Sequence, residues 1–251
     1  MNQKIKEILS KKKADLMAEK LLPLPVVTSF TSTFFDSLHA ANPGIIAEIK
    51  LASPTSPSLG DVKGLAARVK AYEKGGANAI SVITERYFFK GELSLITQVK
   101  SYSKIPVFQK DFVIDAFQIQ QAQSLGSDAI LLIARIVTQK KLQKFVELAI
   151  ELGVEPVVEV FSMEDLKKAL NTKTRIIAVN ARDLDSFTMD VKRARDILAM
   201  IPSSYLRLGF SGIETKEDIA AYTKAGAHGV LIGTTLMKSV DPESTLKELR
   251  G

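Results

Sequence analysis

Glu48 and Lys50 stand two residues apart at the end of an otherwise apolar run, Ile45-Ile46-Ala47-Glu48-Ile49-Lys50. In an extended strand successive side chains alternate between faces, so this carboxylate and this ammonium point the same way. Charges at the end of an apolar strand are costly unless they meet a partner, water or a ligand. The placement recurs down the chain. Lys110 closes the run 105–110, Glu159 sits inside Val157-Val158-Glu159-Val160, and Asn180 ends the run 176–180, with Arg182 two residues beyond it. Two ammonium groups and two carboxylates on one face could deliver and remove protons and stabilise a developing oxyanion. They could also balance as two structural ion pairs, although buried pairs are poor stabilisers of a fold. A second signal lies further on, where Ser211-Gly212 and Gly233-Thr234 follow two later apolar runs. Backbone N–H groups at such glycines, with a helix starting after the second, make an anion site. Ordinary turn chemistry is the alternative there.

These residues need elements that bring them together. Eight apolar runs supply them: 45–50, 79–84, 105–110, 129–133, 156–160, 176–180, 206–211 and 230–233. Between them fall helical stripes such as Leu65, Val69 and Tyr72, or Leu142, Phe145, Ala149 and Leu152. Thr215 with Asp218 forms a capping box ahead of Ile219 and Tyr222. A weak repeat marks the entry to three runs: Gly76-Ala77-Asn78-Ala79-Ile80, Gly126-Ser127-Asp128-Ala129-Ile130 and Gly226-Ala227-His228-Gly229-Val230. Each Gly suits a left-handed helix end, and each following run enters a sheet. Eight strands alternating with helices predict an α/β fold, a single (β/α)8 TIM barrel, over an open doubly wound sheet. In such a barrel the carboxyl ends of the strands carry the chemistry. That puts Glu48, Lys50, Lys110, Glu159, Asn180 and the two glycine turns on one face. His228, at the entry end of its strand, reads as structural.

Residues 1–22 predict an amphipathic helix stopped by Pro23 and Pro25, and 26–43 a connector with a short helix near Phe34–Ala41. The expected organisation is therefore one barrel domain over 1–251, with 1–43 as an N-terminal helical extension. The run Lys11-Lys12-Lys13 lies on the first helix and reads as a solvated face. The net charge of +6 has no aromatic and basic interleaving to suggest a nucleic-acid surface. It suits an anionic small substrate. The chain has no cysteine and two histidines, which leaves no disulfide framework and no thiolate or histidine metal site. No run of about 18 apolar residues and no signal pattern occurs, so a soluble, cytoplasmic protein that neither spans nor binds a membrane is expected.

Together the motifs resemble indole-3-glycerol phosphate synthase, a (β/α)8 barrel family of tryptophan biosynthesis. The resemblance rests on Ile45–Lys50 with Ala52-Ser53-Pro54, on Lys110-Asp111-Phe112, Asp128–Ile133, Val158-Glu159-Val160, Asn180-Ala181-Arg182-Asp183-Leu184, Ser211-Gly212-Ile213 and Leu231-Ile232-Gly233-Thr234. It covers nearly the whole chain, the helical extension included. It implies ring closure of 1-(2-carboxyphenylamino)-1-deoxyribulose 5-phosphate to an indole, with loss of carbon dioxide and water and no metal or organic cofactor. It further implies that Lys110 is the general acid, protonating the ketone oxygen as the aromatic ring attacks, and that Glu159 is the second acid/base. Glu48 and Asn180 would orient substrate hydroxyls and the lysine. Lys50 would bind the substrate's carboxylate or phosphate side, and Arg182 the anthranilate end. Phe89 and Phe112 would wall the ring pocket, with Phe210 at its rim. Gly212, Gly233 and Thr234 would cradle the phosphate, with Ser211 beside them. The partner implied is this phosphorylated anthranilate-derived molecule, and a monomer is expected.

Three positions depart from the family pattern. Phe210 stands directly before Ser211, where the family usually has Glu, which removes a carboxylate and adds apolar bulk. The loop Ser53-Pro54-Thr55-Ser56-Pro57-Ser58-Leu59-Gly60 is longer than usual in a segment that covers the substrate. Phe161 follows Glu159-Val160 where the family often has His. These leave room for two other readings. One is a barrel of this family turned, by evolution or by design, to another acid/base reaction, with Glu159 near Phe161 and Phe210 as a base of raised pKa that takes a proton from carbon. The other is a non-catalytic phosphate-binding barrel.

Overall fold

Every strand from Gly44 onward is parallel to its neighbours, and the eight of them close in sequence order into a barrel. The computed structural model describes residues 3–21, 24, 32–54, 56, 58–60 and 62–251, without the side chain of Lys4. The strands are β1 (Gly44–Ile49), β2 (Ala79–Ile83), β3 (Val107–Lys110), β4 (Ala129–Ile133), β5 (Glu155–Val160), β6 (Ile176–Asn180), β7 (Leu206–Phe210) and β8 (Gly229–Ile232). The helices are α1 (Gln3–Glu19), α2 (Phe34–His39), α3 (Leu65–Lys74), α4 (Ser94–Tyr102), α5 (Ala116–Ser124), α6 (Gln139–Glu151), α7 (Met163–Leu170), α8 (Val191–Met200), α9 (Lys216–Lys224), α10 (Thr234–Lys238) and α11 (Pro242–Arg250). β1 pairs with β8 through Gly44–Gly229 and Ala47–Ile232, which completes the ring. Pro23 and Pro25, expected to stop the first helix, lie outside the described residues; α1 ends at Glu19. Among the described residues no helix is long and apolar enough to cross a membrane.

Strand alternation divides the core in two. Ile45, Ala47 and Ile49 of β1 face outward and pack, with Val107, Ile130 and Leu132, under the ring of helices. Ile46, Phe108, Ala129, Leu131 and Leu208 face inward and fill the barrel. Glu48 and Lys50 share the parity of Ile46, so both side chains belong to the interior. The helices stop where left-handed residues allow it. Gly76, Gly126, Gly153 and Gly226 have φ between 76° and 99°. After each, the next amide returns to the helix, as in Ala77 N to Tyr72 O at 2.9 Å and Ala227 N to Tyr222 O at 3.0 Å. Gly153 is a fourth member of the repeat. The capping box at Thr215 and Asp218 forms, and so do others at Asp115 and Ser162.

The two N-terminal helices close opposite ends of the barrel. Phe34 and Leu38 of α2 are fully buried among the inward-facing residues, beside Gly44 at the entry of β1. α1 crosses the other end. Its Asp15 accepts a hydrogen bond from Tyr87 at 2.7 Å, and Lys20, just past its end, pairs with Asp115 at 2.8 Å. Lys12 contradicts the solvated-face reading. Its side chain is buried and its ammonium lies 2.9 Å from both oxygens of Asp111, directly after β3. Lys11 and Lys13 remain at the surface. At the entry end of β7 and β8 the neutral His228 ring accepts a hydrogen bond from Arg207 N at 3.1 Å, as a structural histidine would.

Candidate active site

Strand parity and the α1 crossing leave one cavity of about 220 Å³ at the carboxyl ends of the strands. Glu48, Lys50, Lys110, Glu159, Asn180, Arg182, Ser211, Gly212, Gly233, Thr234, Phe89 and Phe112 all line it. Seven strands and the loops after them deliver these residues, so no local segment of the chain could have assembled them.

Glu48 is the electrostatic centre. Its two oxygens bind two different cations, Lys110 Nζ at 2.9 Å on Oε2 and Lys50 Nζ at 3.2 Å on Oε1. Burial alone would push its carboxyl up, but the ammonium groups of Lys110 and Lys50 more than reverse this and hold it at about 2. Glu159, on β5, is equally buried and fares differently. Desolvation raises it, only partly opposed by Lys110 and by a 3.1 Å hydrogen bond from Asn180 Nδ2, and Glu48 adds to the rise. One carboxylate is thus held as an anion, and the other has its pKa raised above the ordinary carboxylate value by burial. Such a split is how two like groups take different acid/base roles.

Asn180 is itself held. Its Oδ1 accepts from Ser211 Oγ at 2.8 Å and from Arg182 N at 3.0 Å, which turns its amide nitrogen toward Glu159. Ser211 has φ of 72° and its carbonyl accepts from Tyr222 OH at 2.9 Å, so the turn after β7 is fastened from behind. On the other side of the mouth, Lys50 donates to Thr234 Oγ1 at 3.1 Å. Gly233 is required for this proximity, because a Cβ there would run into the Glu48 carboxylate. Gly212 has φ of 71° and a Cβ there would lie 2.7 Å from Val191. Thr235 Oγ1 donates to Ile213 O at 2.9 Å, which joins the turn after β8 to the turn after β7 beside Lys50.

The aromatic side is built by a carboxylate left without a role above. Glu85, buried just after β2, accepts from the backbone N–H of Tyr87, Phe88 and Phe89 at 3.0, 2.8 and 3.0 Å. This folds the aromatic loop so that Phe89 faces the cavity, and Phe89 O in turn accepts from Ala52 N at 3.1 Å. Asp111 accepts from Thr84 Oγ1, Phe112 N and Lys12, which fixes Phe112. Position at a strand end was the signal that could have found both carboxylates. Leu131, Leu184 and Leu231 are among the other apolar residues that line the cavity.

Two expectations need correction. Phe210 is not at the rim and does not line the cavity; it is wholly buried, packed on Phe108, with its ring 5.2 Å below Lys110 Nζ. Inward parity on β7 places it one layer below the turn that carries Ser211. Phe161 does not wall Glu159 either. Its ring lies between the guanidinium groups of Arg193 and Arg135, at 3.4 and 4.4 Å. In the loop after β1, Ser53 and Ser56 bond each other's backbone, and Ser53 and Pro54 border the cavity; Thr55 and Pro57 lie outside the described residues.

The family model for indole-3-glycerol phosphate synthase matches residues 2–249. The chain belongs to the indole-3-glycerol phosphate synthase family. An indole-3-glycerol phosphate synthase of Aquifex aeolicus is 36% identical, with 98% of each chain covered. One of Caldanaerobacter subterraneus subsp. tengcongensis is 39% identical over 97% of this chain and 96% of the relative. More distant solved structures share the fold alone. A 3-hexulose-6-phosphate synthase has a TM-score of 0.64 at 18% identity, covering 82% of this chain and 98% of that one. Thiamine phosphate pyrophosphorylase from Pyrococcus furiosus has a TM-score of 0.62 at 15% identity, covering 82% and 93%.

Proposed function

We propose that this cavity carries out the ring closure of the indole-3-glycerol phosphate synthase family, with the proton transfers divided between Lys110 and Glu159. The enzyme is a carboxy-lyase of tryptophan biosynthesis. The observation that carries the division of roles is the pairing of Lys110 with the ionised Glu48, on the same cavity as a buried Glu159 that, among the described residues, has no ammonium in contact and whose pKa burial raises.

The substrate's ring carbon attacks the ketone carbon, and the carbonyl electron pair moves to oxygen. Lys110 stabilises that charge and gives the oxygen a proton. The bond to the carboxylate then breaks, carbon dioxide leaves, and its electron pair returns to the ring. Glu159 protonates the new hydroxyl, which departs as water, and the remaining ring proton is lost to the Glu159 carboxylate as the indole becomes aromatic. Glu48 directs both ammonium groups through its two oxygens. Asn180 and Ser211 aim Glu159. Phe89 and Phe112 pack the anthranilate ring, Arg182 meets its carboxylate, and Lys50, Thr234, Gly212 and Gly233 receive the phosphate. Because all these groups come from one chain, a monomer suffices, and we propose that it works so in the cytoplasm.

The test is turnover of the carboxyphenylamino deoxyribulose phosphate, followed by indole fluorescence. Turnover that survives Lys110→Ala unchanged would remove this assignment. Inorganic phosphate should compete with substrate; indifference to it would undercut the roles of Gly212, Gly233 and Thr234. The non-catalytic reading drew its support from Phe210, and that residue lies beneath the cavity rather than in it.

A further inference from the structure

Three phenylalanine rings run through the barrel interior from the α2 plug to Lys110. Phe34 and Phe108 have centroids 5.3 Å apart with planes tilted by 43°. Phe108 and Phe210 follow at 6.2 Å and 47°. Lys110 Nζ lies over the Phe210 ring at 5.2 Å from its centroid. All three rings are completely buried. Tilted rings about 4.5–7 Å apart are in a favoured arrangement. An ammonium within about 6 Å of a ring face is attracted by its quadrupole, most strongly where water is excluded.

The column bears on a specific mechanical need. A lysine ammonium is a point charge on a flexible four-carbon stem. The 2.9 Å contact with Glu48 sets one distance but leaves the ammonium free to swing about that carboxylate. A second contact from a different direction removes that freedom. Here it comes from below, on β7, while Glu48 holds the lysine from β1. A carboxylate at position 210 would offer a second contact too, but as an anion competing with Glu48 for the same cation. A ring supports the ammonium without that competition and without the cost of burying another charge.

We propose that Phe210 is a positioning residue, whose ring, backed by Phe108 and Phe34, holds the Lys110 ammonium in the geometry from which it delivers its proton. The proposal rests on the reading of Lys110 as general acid. The Phe at this position is then a different way of holding the lysine, not the loss of a working part.

The test separates the ring's electrostatics from its bulk. Pentafluorophenylalanine introduced at position 210 keeps nearly the same shape but reverses the sign of the quadrupole. It should lower kcat about tenfold while leaving KM and the melting temperature nearly unchanged. Phe210→Leu should lower kcat similarly and also lower the melting temperature. Independently of turnover, carbon-13-labelled lysine should show the ε-methylene protons of Lys110 shifted upfield by the ring current, a shift lost in Phe210→Leu. A fluorinated enzyme with wild-type kcat, or ε-methylene protons that do not move in Phe210→Leu, overturns the proposal. If turnover instead survives Lys110→Ala, the acid role fails by itself, and the proton shifts alone then decide whether Phe210 holds the lysine.

Discussion

Lys12→Met should destabilise the protein far more than the same change one residue later. The Lys12 ammonium lies 2.9 Å from both oxygens of Asp111, with 11% and 2% of the two side chains exposed. Removing one partner of a buried ion pair costs about 3–5 kcal/mol, because the other charge is left uncompensated. Asp111 keeps two hydrogen bonds, from Thr84 Oγ1 at 2.8 Å and Phe112 N at 2.7 Å, which stabilise the stranded carboxylate. The methionine also retains the buried stem. The loss is therefore set below that range, at about 2–3 kcal/mol. For a chain of this size each kcal/mol moves the melting temperature by about 2–4 °C, so a fall of about 4–12 °C follows. Lys13→Met, at an exposed site, should stay within about 0.5 kcal/mol of wild type. Thermal unfolding of the three proteins, in low and high salt, gives the comparison; a buried pair is screened little, so the Lys12 deficit should persist at high salt. Equal melting temperatures for the Lys12 and Lys13 variants would refute the docking of α1 through Asp111.

Glu159→Gln removes the group to which we assign the second proton transfer. It should lower kcat about 10²–10⁴-fold with KM within a few-fold, measured by indole fluorescence; a smaller loss would move that role elsewhere. Glu85→Ala leaves three backbone N–H groups of the Tyr87-Phe88-Phe89 loop without their acceptor, and the wall they build for the ring should loosen. KM should rise about tenfold or more, and unchanged substrate saturation would show that the loop holds its shape unaided. His228 has its pKa lowered by burial, by Arg207 and by His39. A depressed folded value means that the unfolded chain takes up the proton first. Its share of stability is therefore full above the unfolded value of about 6.5 and is lost as pH falls below it toward the folded value. Melting temperature against pH should slope less across that window in His228→Gln, whose amide oxygen can still accept from Arg207 N; identical slopes would contradict this.

Much of the site was legible because its signals are local. The apolar runs set strand parity, and parity decides whether a side chain faces the interior, so Glu48, Lys50, Lys110, Glu159 and Asn180 could be placed on one face before any coordinates. The three glycine repeats marked helix ends for a steric reason that holds residue by residue. What the sequence did not disclose were contacts between residues far apart in the chain. Lys12 sits in a run of three lysines whose local pattern is that of a solvated face, and only the crossing of α1 over β3 brings it against Asp111, 99 residues away. Phe210 differs from the family pattern in type, but depth along the barrel axis, which one strand cannot report, decides that it lies under the lysine rather than at the rim. Phe161 stands two positions after Glu159, which suggests the same face, but the chain turns outward between them and its ring stacks on two arginines.

The sequence by itself therefore determined the barrel, the family and which residues line the cavity at the strand ends, since these follow from periodicity, turn chemistry and motif order. The tertiary structure decided what those residues are as acids and bases. Glu48 and Glu159 look alike as strand-end carboxylates. Their pKa values shift in opposite directions because of which cations lie within hydrogen-bonding distance and how much water is excluded, both properties of the closed barrel and not of either strand.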